Sequence, residues 1–91
     1  MIELSGSLIC ANETEAALVR SLLPLHIELT LAEPGCLVFE VKETDVPLVW
    51  SVFEQFSDRA SFDAHQARVR ASKWGQEGAH IKRDYKIVEM R

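Results

Sequence analysis

The 91-residue sequence has few of the residues that mark metal, redox or phosphate sites. Its two cysteines, Cys10 and Cys36, have no CxxC spacing and no histidine nearby in sequence, so we expect buried thiols rather than a disulfide or metal ligands. None of the four glycines belongs to a Gly-rich loop that follows a predicted strand, and no histidines and carboxylates have ligand spacing. The sequence therefore indicates neither a metal nor a cofactor.

Clustered charge and long apolar runs are also missing. The net charge is -4 without a long run of either sign, which argues against the basic face that a nucleic-acid partner requires. The apolar runs are far shorter than the roughly 20 residues that span a bilayer, and the first residues do not form a basic start followed by an apolar block. We therefore expect a cytoplasmic protein that binds neither nucleic acid nor membrane.

The apolar content is high for so short a chain. Residues 1–91 are expected to form one domain, because a core cannot be divided at this length. Apolar residues make up 47% of the sequence, so a thin polar surface remains once a small core is filled. A second copy that covers part of the apolar surface would lower its exposure, and we expect a homodimer.

The first half of the chain predicts a strand, a helix and a second strand. Ile2–Cys10 alternates with the period of a strand, and Asn12–Glu15 resembles a capping box that starts a leucine-rich helix. Pro24 removes one hydrogen bond within that helix, so a kink or break is expected near it, and Glu33–Gly35 should end the helix. In the following strand, Cys36–Lys42, alternation places Leu37, Phe39 and Val41 on one face.

The second half predicts a strand, a helix and a last strand. The aromatic strand Val49–Phe56 leads into Ser57-Asp58, which offers a helix N-cap, and the helix is expected to continue to about Trp74. A short helix or loop over Gln76–Lys82 then precedes the alternating strand Asp84–Met90. The resulting α+β order, βαββαβ, predicts a ferredoxin-like four-stranded antiparallel sheet with helices on one face.

The second helix places a histidine on its apolar side. His65 shares the three-to-four-residue spacing of one helix face with Phe62 and Val69. An imidazole suits proton transfer because its ordinary pKa lies near neutrality. An alternative is that His65 only fills or caps the core.

Four ordered segments of the chain resemble the antibiotic-biosynthesis monooxygenase (ABM) superfamily. They are Glu33–Val41, Phe53–Asp58, Ser61–His65 and, nine positions beyond that histidine, Trp74. The resemblance implies a dimeric α+β barrel, in which two sheets associate face to face and a pocket lies between the sheet and the helices of each subunit. It also implies a cofactor-independent oxygenase, in which the anion of a quinol, phenol or anthrone reduces dioxygen directly.

The resemblance suggests roles for particular residues. His65 would be the proton acceptor or oxyanion partner, and Trp50, Trp74 and Tyr85 would shape an aromatic pocket. A core role for the two tryptophans is the alternative. Some ABM oxygenases use an asparagine at the oxygen site, whereas Asn12 of this chain is explained by helix capping.

His26 and Arg83 are further pocket candidates. His26 lies beside Pro24 and could reach the pocket, or it could donate to a backbone carbonyl freed by the proline. Arg83 could hold a carboxylate or phenolate at the pocket mouth, or form a surface ion pair with Asp84 or a nearby glutamate.

Two other functional classes stay open at this point. A dimeric binding or accessory module for an apolar aromatic ligand would use the same pocket without redox chemistry. Haem degradation, known from one branch of the superfamily, uses an axial histidine on the second helix that has no match here, because Trp74-Gly75 occupies the late part of the segment.

Overall fold

The computed structural model describes residues 1–90 and contains four strands and three helices. The strands are β1 (Ile2–Ile9), β2 (Cys36–Glu43), β3 (Val49–Phe56) and β4 (Lys82–Glu89), and the helices are α1 (Glu13–Leu31), α2 (Arg59–Ala71) and α3 (Lys73–Glu77). The strands form one antiparallel sheet in the spatial order β2-β3-β1-β4. This confirms the predicted ferredoxin-like arrangement.

The two faces of the sheet differ in polarity because of the alternation along β1 and β3. Toward the helices β3 buries Trp50, Val52, Glu54 and Phe56, and β1 buries the alternate residues Ile2, Leu4 and Leu8. The opposite face is mostly polar and carries five half-buried apolar side chains that do not form a continuous patch: Ile9, Val38, Val49, Phe53 and Val88. The core therefore lies between the sheet and the helices.

Helix α1 begins and ends close to the predicted positions, but it does not break. Asn12 is its N-cap, and the side chain accepts a hydrogen bond of 3.0 Å from the Glu15 amide, as predicted. The helix continues through Pro24 to Leu31, so the possible break near the proline does not occur. Packing of Val19, Leu23 and other buried residues of α1 against the sheet outweighs the roughly 3 kcal/mol that a proline costs within a helix.

The second predicted helix is divided at Ser72, so its predicted continuation to Trp74 is wrong. Ser72 has extended dihedral angles (φ -84°, ψ 162°), and its hydroxyl donates to the Val69 carbonyl at 2.7 Å while accepting from the Gly75 amide. One serine thereby ends α2 and caps α3. Trp74 lies on α3, which changes direction relative to α2 and brings the indole toward α1.

The predicted face of Leu37 is also wrong. A β-bulge between Cys36 and Val38 adds one residue to β2 relative to β3, which reverses the alternation before the bulge. Phe39 and Val41 remain on the buried face, whereas Leu37 is 56% exposed.

Two other expectations concern thiols and membranes. Both cysteines are free thiols; Cys10 is buried, as expected, and Cys36 is half-buried. Burial raises the pKa of each thiol. Among residues 1–90, no helix is both long and apolar enough to cross a membrane.

Gly6 permits the close approach of β1 and β4. Its φ of +152° is rarely adopted by other residues, and a Cβ added there would lie 2.0 Å from the carbonyl oxygen of Asp84. We predict that Gly6→Ala destabilises the fold by about 2 kcal/mol or more, since the strands must separate or distort. In urea denaturation, Gly6→Ala should have a lower midpoint than the wild type, whereas the neighbouring Ser7→Ala should have nearly the wild-type midpoint. A Gly6→Ala midpoint equal to that of the wild type would contradict the prediction.

Candidate active site

A cavity of about 210 Å³ lies between the sheet and the three helices. All four strands contribute residues to its floor, and each helix contributes at least one side chain to its walls. The lining residues with polar or aromatic side chains are His26, Phe39, Glu54, His65, Gln66, Trp74, Arg83 and Tyr85. Five of the six residues proposed from the sequence, all except Trp50, therefore meet in one cavity.

His65 is fixed by contacts on both sides of its ring. The Asp58 side chain caps α2, and the buried face of that helix turns Phe62 and His65 toward β3. His65 is only 3% exposed, and its ring centroid lies 4.8 Å from that of Phe56. The Nδ1 atom is 2.8 Å from Oε2 of Glu33, which holds the imidazole in one orientation.

Glu33 is itself held by the guanidinium of Arg68. The Nε of Arg68 donates to the second oxygen of the Glu33 carboxylate, and one of its Nη atoms donates to Thr30 Oγ1 at 2.9 Å. Because a carboxylate paired with arginine is an acceptor, the 2.8 Å contact makes Nδ1 of His65 the protonated nitrogen. The lone pair of Nε2 is then available on the other side of the ring.

Glu54 faces that lone pair and was not recognised from the sequence. Its Oε1 lies 3.6 Å from His65 Nε2, and it has no hydrogen-bond partner among residues 1–90. Burial first, and then the Glu33 carboxylate, raise the Glu54 pKa to about 7. The signal was present in the strand pattern, because Glu54 occupies an inward position between the apolar residues Val52 and Phe56.

Burial shifts the pKa of His65 in the opposite sense. Desolvation lowers the pKa of the imidazole, and the Glu33 carboxylate opposes that shift only in part. The ring is therefore neutral at neutral pH and can accept a proton, while Glu54 is close to its own midpoint. Such a pair of groups with shifted pKa values is typical of proton-transfer sites.

His26 and Trp74 form a stacked wall of the cavity. Their ring centroids are 4.6 Å apart at an interplanar angle of 9°, and both residues also line a groove on the outer side, between α1 and α3. Desolvation lowers the His26 pKa to about 3, with a further contribution from the positive charge of Arg68. Within residues 1–90 the imidazole makes no hydrogen bond to a carbonyl freed by Pro24, and its Nδ1 has no partner.

Tyr85 and Arg83 line the cavity from β4. Burial raises the Tyr85 pKa to about 12, so its phenol remains a hydrogen-bond donor at neutral pH. The Arg83 guanidinium donates to the carbonyls of Gly78 at 2.9 Å and Ile81 at 2.7 Å. In the described part of the chain Arg83 forms no ion pair with Asp84 or a glutamate, so the alternative of a surface ion pair is wrong.

Trp50 lies away from this cavity, which corrects its assignment to the aromatic pocket. It is 2% exposed within the core and lines a separate cleft beside α1. The Arg20 guanidinium lies 5.6 Å from the Trp50 ring centroid. The alternation of β3 turns both Trp50 and Glu54 inward, but four residues of strand separate them along the sheet.

Comparison with protein-family models identifies the chain. The model described as antibiotic biosynthesis monooxygenase, ABM, matches residues 8–77, which is well over half of the sequence. The chain belongs to the ABM family. The match includes His26, Glu54, His65 and Trp74 of the cavity together with Glu33, whereas β4 lies beyond it.

Solved structures share the fold of this ABM-family chain at low sequence identity. A conserved protein from Methanosarcina mazei Go1 is 20% identical with a TM-score of 0.75, covering 99% of this chain and 92% of its own. A protein from Mycobacterium tuberculosis is 18% identical with a TM-score of 0.76 (99% and 94% covered), and a candidate antibiotic biosynthesis monooxygenase from Nitrosomonas europaea is 17% identical with a TM-score of 0.78 (99% and 98%). The search of curated proteins gives no significant match.

The buried Glu54 should make the ABM-family fold sensitive to pH. The folded pKa of about 7 exceeds the ordinary value of 4.5, so the protonated acid favours folding and its contribution is lost as pH rises from 4.5 through 7. We predict that the free energy of unfolding of Glu54→Gln, relative to that of the wild type, increases between pH 5 and pH 8. Urea denaturation at both pH values measures this difference.

A matched control is the exposed Glu40→Gln on β2. Its stability relative to the wild type should change little between the two pH values. An equally flat difference for Glu54→Gln would show that the carboxyl is not held in the protonated form by the fold.

Proposed function

We propose that this protein is a cofactor-independent monooxygenase that oxidises a small, electron-rich aromatic compound of the quinol, phenol or anthrone type with dioxygen. One observation carries the proposal: His65, oriented by Glu33, presents an unprotonated Nε2 to a buried cavity with aromatic walls. ABM-family membership and the neighbouring structures that are named as monooxygenases support the same reaction class.

The cavity favours a flat and compact substrate. Its volume of about 210 Å³ is below the roughly 300–1,000 Å³ that is usual for drug-sized ligands, which favours phenols and quinols of one or two rings over the three-ring anthrones within the proposed class. Phe39 packs nearly perpendicular to the His26 ring, and Trp74 stacks parallel to that ring. A substrate ring would therefore contact mainly aromatic and aliphatic surfaces.

The reaction begins with removal of the substrate's hydroxyl proton by His65. The Glu33 carboxylate stabilises the imidazolium that forms, in the way that an acidic partner supports a catalytic histidine. The resulting phenolate transfers electrons to dioxygen; one oxygen atom becomes the new carbonyl of the quinone, and the other leaves as water. Tyr85, which remains protonated, can donate a hydrogen bond to an oxygen that develops negative charge.

The outer face of the sheet supports a homodimer as the functional unit. Phe53 is half-buried on this face in a single copy, between Ser5 of β1 and Glu40 of β2. A second copy packed on this face would remove Phe53 and the other half-buried apolar side chains from water and complete the two-sheet barrel. The dimer would leave each cavity on the opposite side of its own sheet.

The decisive experiment measures oxygen consumption by the purified protein with a panel of quinols, phenols and anthrones. Product quinone that forms in proportion to oxygen consumed would support the monooxygenase. Tight binding of the same compounds without oxygen consumption would instead favour a dimeric binding module for an aromatic ligand.

His65→Ala should reduce kcat for oxygen consumption by about 100-fold or more, since a positioned general base contributes that much or more. The control is His80→Ala, because His80 is exposed, pairs with Glu15 and does not line the cavity. Turnover by His65→Ala equal to that of His80→Ala would remove His65 from the chemistry.

Phe53→Arg should convert the dimer into a monomer, because a charge would replace an aromatic side chain on a central strand of the proposed interface. Light scattering or sedimentation gives the mass directly. Val46→Arg, at an exposed position of the loop between β2 and β3, is the matched control and should stay dimeric. A monomeric wild type would contradict the proposed assembly.

A further inference from the structure

We propose that Glu54 is the general acid of the reaction and acts opposite the base His65. The inference rests on the proposed monooxygenase function and adds a second catalytic residue to it. Glu54 would protonate the oxygen that leaves as water, and it would recover its proton from His65.

The position of Glu54 fits a chemical role better than a structural one. The carboxyl is 6% exposed on a central strand, between Leu4 of β1 and Phe39 of β2 in the sheet register. A buried carboxyl with a structural role is normally hydrogen-bonded, because an unpaired buried polar group costs about 1–3 kcal/mol. Oε1 has no such partner among residues 1–90, and an apolar side chain at this inward position would fold more favourably.

The Glu54 carboxyl and the His65 imidazole are close to each other but are not hydrogen-bonded. At 3.6 Å, Oε1 and Nε2 are slightly too far apart for a hydrogen bond, yet both face the same cavity. A substrate bound in the cavity would lie beside both residues. A small movement of either side chain also allows direct proton transfer from the imidazolium to the carboxylate.

The surroundings of Glu54 keep a substantial fraction of its carboxyl protonated at neutral pH. Desolvation and the negative charge of Glu33 beyond the His65 ring both raise its pKa, to about 7. The other titratable or charged groups that line the cavity are neutral His26 from α1, His65 from α2, and Arg83 and Tyr85 from β4. Beyond the lining lie Arg68 of α2 and the thiol of Cys36 on β2, whose pKa the Glu54 charge helps to raise. Arg68 is neutralised by Glu33, and Arg83 is bound to backbone carbonyls.

The oxidation of a phenol bearing a ring C–H para to its hydroxyl shows how protons and electrons balance. His65 takes the hydroxyl proton, the phenolate bonds to dioxygen at the para carbon, and the peroxide anion takes the proton back from the imidazolium. His65 then removes the C–H proton of the same carbon. The C–H electron pair forms the new carbonyl, and the O–O bond breaks.

Glu54 acts at this last step. The departing hydroxide takes the Glu54 proton and becomes water, and the imidazolium of His65 returns a proton to the Glu54 carboxylate. Carbon loses four electrons and dioxygen gains four, so that the phenol and dioxygen give the quinone and water. Both residues end in their starting protonation states, and no other reductant is consumed.

The test compares the pH dependence of kcat for oxygen consumption in the wild type, Glu54→Gln and Glu54→Asp. Wild-type kcat should rise with pH as His65 loses its proton and fall near pH 7 as Glu54 ionises. Glu54→Gln should lower kcat by about 100-fold, change KM little and lose the alkaline decrease. Glu54→Asp should keep the alkaline decrease, because it retains a carboxylic acid.

The possible failures are distinguishable. Wild-type oxygen consumption with an unchanged kcat and alkaline decrease in Glu54→Gln would overturn the role of Glu54 and leave the monooxygenase intact. No oxygen consumption by the wild type with the substrate panel would overturn the proposed function and the acid role with it. Urea midpoints of the variants at the assay pH separate loss of chemistry from loss of folding.

Discussion

The hydrogen bond between His65 and Glu33 connects two parts of the chain that are 32 residues apart and determines the chemistry of the cavity. It fixes the ring on α2 against the segment that follows α1, and it decides which imidazole nitrogen carries the proton. Arg68 donates to the Glu33 carboxylate and also to the hydroxyl of Thr30. The orientation of His65 therefore depends on a series of polar contacts rather than on one. Glu54 and the cavity lie on the side of the other ring nitrogen, Nε2.

Burial shifts the pKa values of His65 and Glu54 in opposite directions. Removal from water favours the neutral form of both, which lowers the pKa of the imidazole and raises that of the Glu54 carboxyl. A neutral base and a neutral acid can therefore coexist at 3.6 Å near neutral pH. On the surface of the sheet, neither pKa would be shifted by removal from water.

The fold was predictable from local patterns, whereas the site was predictable only in part. Strand alternation and the caps at Asn12 and Asp58 define most elements, because these are interactions between residues close in sequence. The bulge at Leu37 and the break at Ser72 depend on strand register and on the direction of α3, which no short pattern specifies. The helix face and the family resemblance indicate His65, but its contact with Glu33 depends on the tertiary structure. Strand alternation gives Glu54 an inward position without indicating a role for it.

The central position of β3 has a consequence for how this protein could change. The strand is hydrogen-bonded on both edges, so the Glu54 backbone has little freedom, and the spacing of the two proton carriers is set by how closely α2 rests on the sheet. Phe62 is one of the side chains that determine this spacing, because its ring packs edge-on against Phe56. Substitutions that change the size of the Phe56–Phe62 contact could therefore change the reactivity of the cavity during evolution, although neither ring lines it.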